Sequence, residues 1–249
     1  MNSSSQVCHQ FSHIAIEENS KREIPPMETD QQVTPWDVKG AVVDGEIKAI
    51  DYEKLIVQFG VSRITPDLIE RLEKVTGRPA HHLIRRGIFF AHRDLSRILD
   101  LHEQGKPFFL YTGRGPSNES MHLGHAIPFI FCQWLQEVFD VHLVIQLTDD
   151  EKFHFKEHLT LDDVKRYAIE NAKDIAAFGF NPEKTFIFLD SEYYGYMFDT
   201  ILRVQKCLNF NQCSSVFGFD QTTSIGKLSY PCAEIATAFP GAFPHLFGK

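Results

Sequence analysis

The chain has 249 residues, 43% of them apolar, with a formal charge of −8. That is enough apolar material for one large domain with an appendage, while the negative balance is the wrong sign for wrapping nucleic acid by bulk electrostatics. The longest apolar runs fall short of the roughly 18 residues that span a bilayer, and Glu17 and Glu18 precede the first lysine, Lys21, so neither a membrane partner nor a secretory or mitochondrial leader is expected and the protein reads as cytoplasmic.

Residues 1–32 are polar, with Ser3 to Ser5, Pro25 and Pro26 and no apolar periodicity, and read as a disordered tail. An N-terminal extension follows over 33–105. It starts with a small hairpin, Ala41 to Asp44 and Ile47 to Ile50, around the turn signal Asp44-Gly45. Asp51 can cap a helix running through Phe59. Thr65 with Pro66 caps a second, whose Leu68, Ile69, Leu72 and Val75 share one face before Gly77 ends it. Asp94 to Glu103, stopped by Gly105, reads as a third.

From residue 106 to the end the period changes. Strand Phe108 to Thr112, a helix from about His122, strand Val141 to Leu147, a capped helix Thr160 to Phe178 with Asp163 at the capping-box position, and strand Thr185 to Leu189 form consecutive β-α-β units. The expected fold class is therefore α/β, a Rossmann-like parallel sheet whose ligands gather at the carboxyl ends of the strands. Met197 to Leu208 looks helical, Asn211 is placed to cap a further short helix, and the chain closes in a Pro/Phe-rich stretch. Cys8, Cys132, Cys207, Cys213 and Cys232 are scattered without a C-x-x-C pair and read as reduced, mostly core residues.

The most informative run is Tyr111-Thr-Gly-Arg-Gly-Pro-Ser-Asn-Glu-Ser-Met-His-Leu-Gly-His125, where a strand hands over to a helix and the glycines are expected in the turn. A helix start offers free N–H groups and partial positive charge, and glycine lets a phosphate approach the main chain. The dinucleotide fingerprint G-x-G-x-x-G fails because Asn118 stands three after Gly115, and no Walker lysine follows. His122 and His125 are spaced as zinc ligands often are, but no carboxylate or cysteine stands at a usual partner spacing; packed histidines without a role are a further alternative. Nucleotide handling is the preferred reading.

The block resembles the H-x-G-H signature of class I aminoacyl-tRNA synthetases, in the long form T-G-R-G-P-S-x-x-x-M-H-x-G-H of the eukaryotic-type tryptophanyl-tRNA synthetases. Leu143-Val-Ile-Gln146-Leu-Thr148-Asp-Asp-Glu151-Lys152, Arg85-Arg-Gly-Ile-Phe-Phe90, Val33-Thr-Pro-Trp36-Asp-Val and Ile50 to Gly60 are similar to other segments of that family, in the same order. The resemblance implies a tryptophan–tRNA ligase: ATP, accompanied by Mg²⁺, activates tryptophan to its adenylate, and the acyl group passes to tRNA(Trp). No tightly bound metal or organic cofactor is implied, and a homodimer is expected. By resemblance His122, His125 and Lys152 are the catalytic residues, and Thr112, Gly113, Arg114, Gly115 and Gly124 join the two histidines along ATP. Tyr111, Gln146, Thr148, Glu151 and Glu234 would hold tryptophan, with Trp36 helping to cover the nucleotide.

The chain also departs from the pattern. Glu234, in Ser229-Tyr-Pro-Cys-Ala-Glu-Ile-Ala236, stands where the family has glutamine, and an ionised carboxylate cannot donate a hydrogen bond. A second signature of K-M-S-K-S type is not found, and Gly226-Lys-Leu-Ser229 comes too early to serve as one. The expectation is therefore an N-terminal part of such an enzyme, without the second signature or the anticodon-binding domain, impaired in full aminoacylation. The alternative is a fragment that binds tryptophan and ATP, or regulates, without catalysis.

Overall fold

A computed structural model describes residues 30–33 and 38–248; Trp36 and most of the expected tail lie outside these residues. The chain divides into two compact units, 1–51 and 52–249. In the first, strands β1 (Gln32–Val33) and β2 (Val38–Lys39) pair antiparallel, as do β3 (Val42–Val43) and β4 (Glu46–Ile47). The β3–β4 turn puts Asp44 at φ 52° and Gly45 at φ 79°, two successive left-handed residues whose twist matches that of the flanking strands. The expected turn at Asp44-Gly45 is present, while the strands are Val42–Val43 and Glu46–Ile47 rather than Ala41 to Asp44 and Ile47 to Ile50.

The second unit opens with α1 (Tyr52–Phe59), β5 (Ser62–Arg63), α2 (Pro66–Thr76), α3 (His82–Arg85), β6 (Ala91–His92) and α4 (Leu95–Glu103). Thr65 caps α2 by accepting from the Leu68 N–H, and Gly77 closes it at φ 65°. Asp94 precedes α4 as expected but sits in the left-handed region without capping; His92 Nδ1 accepts the Leu95 N–H instead. Leu72 and Leu99 pack with Val138 and Phe139, fastening α2 and α4 to the helix that follows the first parallel strand.

That strand is β7 (Leu110–Arg114), followed by α5 (Leu123–Phe139), β8 (Leu143–Leu147), α6 (Asp149–Phe155), α7 (Leu161–Ala176), β9 (Thr185–Leu189), α8 (Asp190–Cys207), α9 (Phe210–Phe217), α10 (Ile225–Ala236), a 3₁₀ turn (Pro240–Ala242) and α11 (Pro244–Phe247). The three long strands form one parallel sheet in the order β7-β8-β9, so sequential strands are neighbours, as the β-α-β pattern requires. All five residues of β8 are buried because both faces are covered. Leu143, Ile145 and Leu147 face Phe129 of α5 and Ala168 and Ile175 of α7. Val144 faces the other way, with Phe188, toward Met197 and Ile201 of α8 and Ala233 and Ala236 of α10.

Several boundaries move. β7 lies two residues later than expected, and Gly113 belongs to the ladder opposite Gln146 rather than to the turn, because pairing with the buried β8 overrides glycine's weak strand preference. The cap of α9 is Asn209, not Asn211: Asn209 accepts the Gln212 N–H while Gln212 accepts the Asn209 N–H, and no such residue stands three after Asn211. Helix α8 starts directly at the end of β9, seven positions before Met197. α6 and α10 were not expected as helices. Among the cysteines, Cys213 and Cys232 are buried, but Cys132 is half-buried and Cys207 exposed, so only part of that set serves the core.

Candidate active site

The register of β7 on β8 sorts the site. Tyr111 and Gly113 pair with Val144 and Gln146 and share their face, toward α8 and α10; Thr112 and Arg114 pair with Ile145 and Leu147 and face α5 and α7. Successive residues of one strand thus serve two compartments.

On the α5/α7 side, His122 occupies the N-cap position of α5 and His125 lies in its first turn. Their rings stack with centroids 3.6 Å apart. Burial, reinforced by Arg114, His122 and Lys152, lowers the His125 pKa and so favours its uncharged form. Its Nδ1 is buried without a hydrogen-bond partner, and so is Arg114 Nη2. Burial also lowers the Arg114 pKa, with Glu151 opposing that shift. Arg114 Nε donates to Asn171 Oδ1 at 3.1 Å, and Asn171 Nδ2 donates to the carbonyls of Asn118 and Glu119 at 2.8 and 3.1 Å. Asn171, fully buried on α7, ties the arginine to the signature loop. Sequence reasoning missed it, since a polar residue on a helix face carries no distance information.

The glycines take more specific meanings. A Cβ on Gly115 would stand 2.1 Å from Lys152 Cε and 2.7 Å from Glu151 Oε2, so this glycine makes room for α6 side chains. At Gly124 a Cβ would press on the His122 ring at 3.1 Å. Thr112 and Gly113 are brought to the same strand end as Arg114.

Between the compartments stands α6, with Thr148 at its N-cap position. Thr148 Oγ1 donates to Glu151 Oε2 at 3.1 Å, and Lys152 Nζ pairs with Glu151 Oε1 at 2.8 Å. The acidic run Asp149 to Glu151 is thus a helix start, where carboxylates meet free N–H groups and the positive end of the macrodipole.

On the α8/α10 side, the Tyr111 hydroxyl donates to Gln146 Oε1 at 2.5 Å, and Gln146 Nε2 donates to both carboxyl oxygens of Asp190 at 2.7 and 2.9 Å. Burial raises the Tyr111 pKa, with Glu234 and Asp190 adding to the shift and the adjacent Thr237 hydroxyl opposing it. Glu234, on α10, is raised by burial, by Glu151 and by Asp150, against a hydrogen bond from Tyr230. Tyr230, Glu234 and Thr237 come to the site on a helix that the sequence reading did not anticipate; its Pro231 concealed the pattern. Lys227, in the lysine-bearing run rejected as a second signature, lies in the first turn of that helix and stands over the Phe155 ring at 5.1 Å. Beside Tyr111 opens an apolar cavity of about 660 Å³, lined by Pro107, Phe108, Phe109, Pro240 and Phe247.

The family model described as tRNA synthetases class I (W and Y) matches residues 103–235, more than half of the chain and the span from Tyr111 to Glu234 that holds the signature, α6 and the Gln146–Asp190 pair. The chain belongs to the class I tRNA synthetases. It is 59% identical to the cytoplasmic tryptophan–tRNA ligase of Schizosaccharomyces pombe over 88% of its length and 55% of the relative's. Among solved structures, the tryptophanyl-tRNA synthetase of Plasmodium falciparum matches with a TM-score of 0.76 at 54% identity, over 78% of this chain and 54% of that one. The Encephalitozoon cuniculi tryptophanyl-tRNA synthetase bound to tryptophan gives 0.77 at 46% identity, over 80% and 55%. This class I chain spans about half the length of the curated relatives it matches. Among the described residues no helix is long and apolar enough to cross a membrane.

Proposed function

We propose that the chain carries the amino-acid-activating site of a cytoplasmic tryptophan–tRNA ligase. A carboxylate oxygen of tryptophan attacks the α-phosphorus of ATP, the bond to the α,β-bridging oxygen breaks, and pyrophosphate leaves. A terminal hydroxyl of tRNA(Trp) then takes the acyl group, losing its proton as AMP departs. Both steps gather negative charge, which positioned donors stabilise. The observation that carries this reading is the pair of buried, unsatisfied polar atoms at the signature, Arg114 Nη2 and His125 Nδ1. A buried group without a partner is costly, and a polar ligand arriving there supplies what is missing.

In this reading Thr112, Gly113, Arg114, Gly115, His122, Gly124 and His125 line the ATP side. Lys152 reaches phosphate or carboxylate, and Glu151 and Glu234 meet the ammonium group. Tyr111, Gln146 and Thr148 receive the indole. Mg²⁺ accompanies ATP as part of the substrate, offsetting the charge of its phosphates. With a net charge of −8, contact with tRNA is local rather than spread over the surface. The extension over 33–105, a catalytic domain from 106 and a homodimer complete the proposal.

Isotope exchange between pyrophosphate and ATP tests it: stimulation by tryptophan and not by tyrosine is expected, and equal stimulation by both refutes the amino-acid assignment. The alternative reading is binding of tryptophan and ATP without turnover. Calorimetric binding of both ligands with no exchange selects it.

A further inference from the structure

The side-chain amide of Gln146 can be placed in two ways that differ by exchanging its oxygen and nitrogen. Its surroundings allow one. Nε2 faces both carboxyl oxygens of Asp190 at 2.7 and 2.9 Å, and the exchanged placement would press Oε1 against them. Gln146 and Asp190 are fully buried, so water cannot step in for a missing partner. Asp190 is the first residue of α8, held at the end of β9, beside Asp149 and Asp150 on α6 and near Tyr194 on its own helix. Ionised, it is an acceptor only; protonated, its hydroxyl is engaged by Asp150. In either state it takes the Gln146 N–H and offers nothing back.

The consequence runs outward. With Nε2 committed to Asp190, Oε1 faces Tyr111 and consumes the phenolic hydrogen at 2.5 Å. The phenol oxygen then has only lone pairs left to present. Tyr111 is the member of this relay that reaches open space, 37% exposed and lining the apolar cavity. A ring entering there meets the phenol oxygen as an acceptor.

We infer that Asp190 is a specificity-positioning residue: through Gln146 it holds Tyr111 as an acceptor, so that the site selects a ring bearing an N–H donor over an isosteric ring without one. The inference rests on the proposed tryptophan reading and deepens it. Replacing Asp190 by asparagine keeps the shape but adds a donor, so that the Gln146 amide can sit either way and Tyr111 can turn its hydrogen outward.

The test measures binding of tryptophan and of its benzothiophene counterpart, in which sulfur replaces the N–H, to the 249-residue chain and its Asp190→Asn variant. The unmutated chain is expected to prefer tryptophan, and D190N to lose about 10- to 100-fold of that preference through weaker tryptophan binding, the fold-change of one buried hydrogen bond. The sulfur analogue should change by less than about 3-fold, the range within which no buried hydrogen bond has been lost. An equal loss for both ligands, or an unchanged preference, overturns the inference while leaving the tryptophan reading intact. An unmutated chain indifferent to the N–H overturns both. A measurement that needs no variant is exchange of side-chain amide protons: those of Gln146 should be far slower than those of Gln133, and equally fast exchange refutes the clamp.

Discussion

Replacing Asn171 by alanine removes three hydrogen bonds from a fully buried position, and the structure says how that cost divides. Asn118 and Glu119 lie on an exposed loop, so water can reach their carbonyls once the amide is gone. Arg114 cannot be compensated in that way: its Nη2 is already buried without a hydrogen-bond partner, and the mutation strips Nε as well. One newly orphaned donor on a charged group, plus the vacated amide volume, comes to about 2 to 3 kcal/mol. For a unit of this size that is a fall in Tm of roughly 4–12 °C. Because Arg114 faces the proposed ATP side while Tyr111 and Gln146 face the other, ATP binding should weaken about 10-fold and tryptophan binding by less than about 2-fold. Scanning calorimetry with separate titrations of the two ligands makes the comparison. Unchanged ATP affinity at lowered Tm would refute the positioning argument, and equal loss of both ligands would show general loosening instead.

Glu234→Gln should raise Tm near pH 7. Burial keeps the folded carboxyl protonated to higher pH than the unfolded one, so wild type loses stability as pH rises through the unfolded value, and the gain from the variant should vanish below about pH 4. A gain that persists in acid would contradict this assignment. Gly115→Ala should push Lys152 aside and split its pair with Glu151, cutting tryptophan-dependent exchange roughly 100-fold; unaltered exchange would mean that Lys152 is not needed where it stands. Thr160→Ala deletes the side-chain acceptor of the α7 capping box, leaving the Asp163 carboxylate on the backbone N–H of residue 160, and should lower Tm by about 2–4 °C with ligand binding unaffected, a result that ligand titrations and thermal melts check together.

What could be read from the chain follows from the range of the signals. Thr65, Thr160 and the Asp44-Gly45 turn act on backbone three residues away or less, and the structure holds each where the local chemistry puts it. Strand β9 was legible to the residue, because Lys184 and Asp190 bound a run rich in β-branched and aromatic residues, Thr-Phe-Ile-Phe-Leu. The site was legible where its residues share one segment, as His122 and His125 do around the start of α5. Asp190 and Asn171 were not, since their partners lie 44 and 57 positions away in sequence and meet only through the sheet and its covering helices. Helix α10 stayed hidden behind Pro231, although packing of Cys232, Ala233 and Ala236 on α8 holds it in place.

The alternation along β7 sets a narrow evolutionary corridor. Tyr111 and Arg114 are three positions apart and so project to opposite sides, each toward partners on different helices. Inserting or deleting one residue ahead of them would hand the phenol to the side of Asn171 and the guanidinium to the side of Gln146, scrambling both halves of the site at once. Length changes should therefore be purged from this strand even when composition is kept, whereas the exposed loop at Asn118 to Ser120 can absorb them more readily.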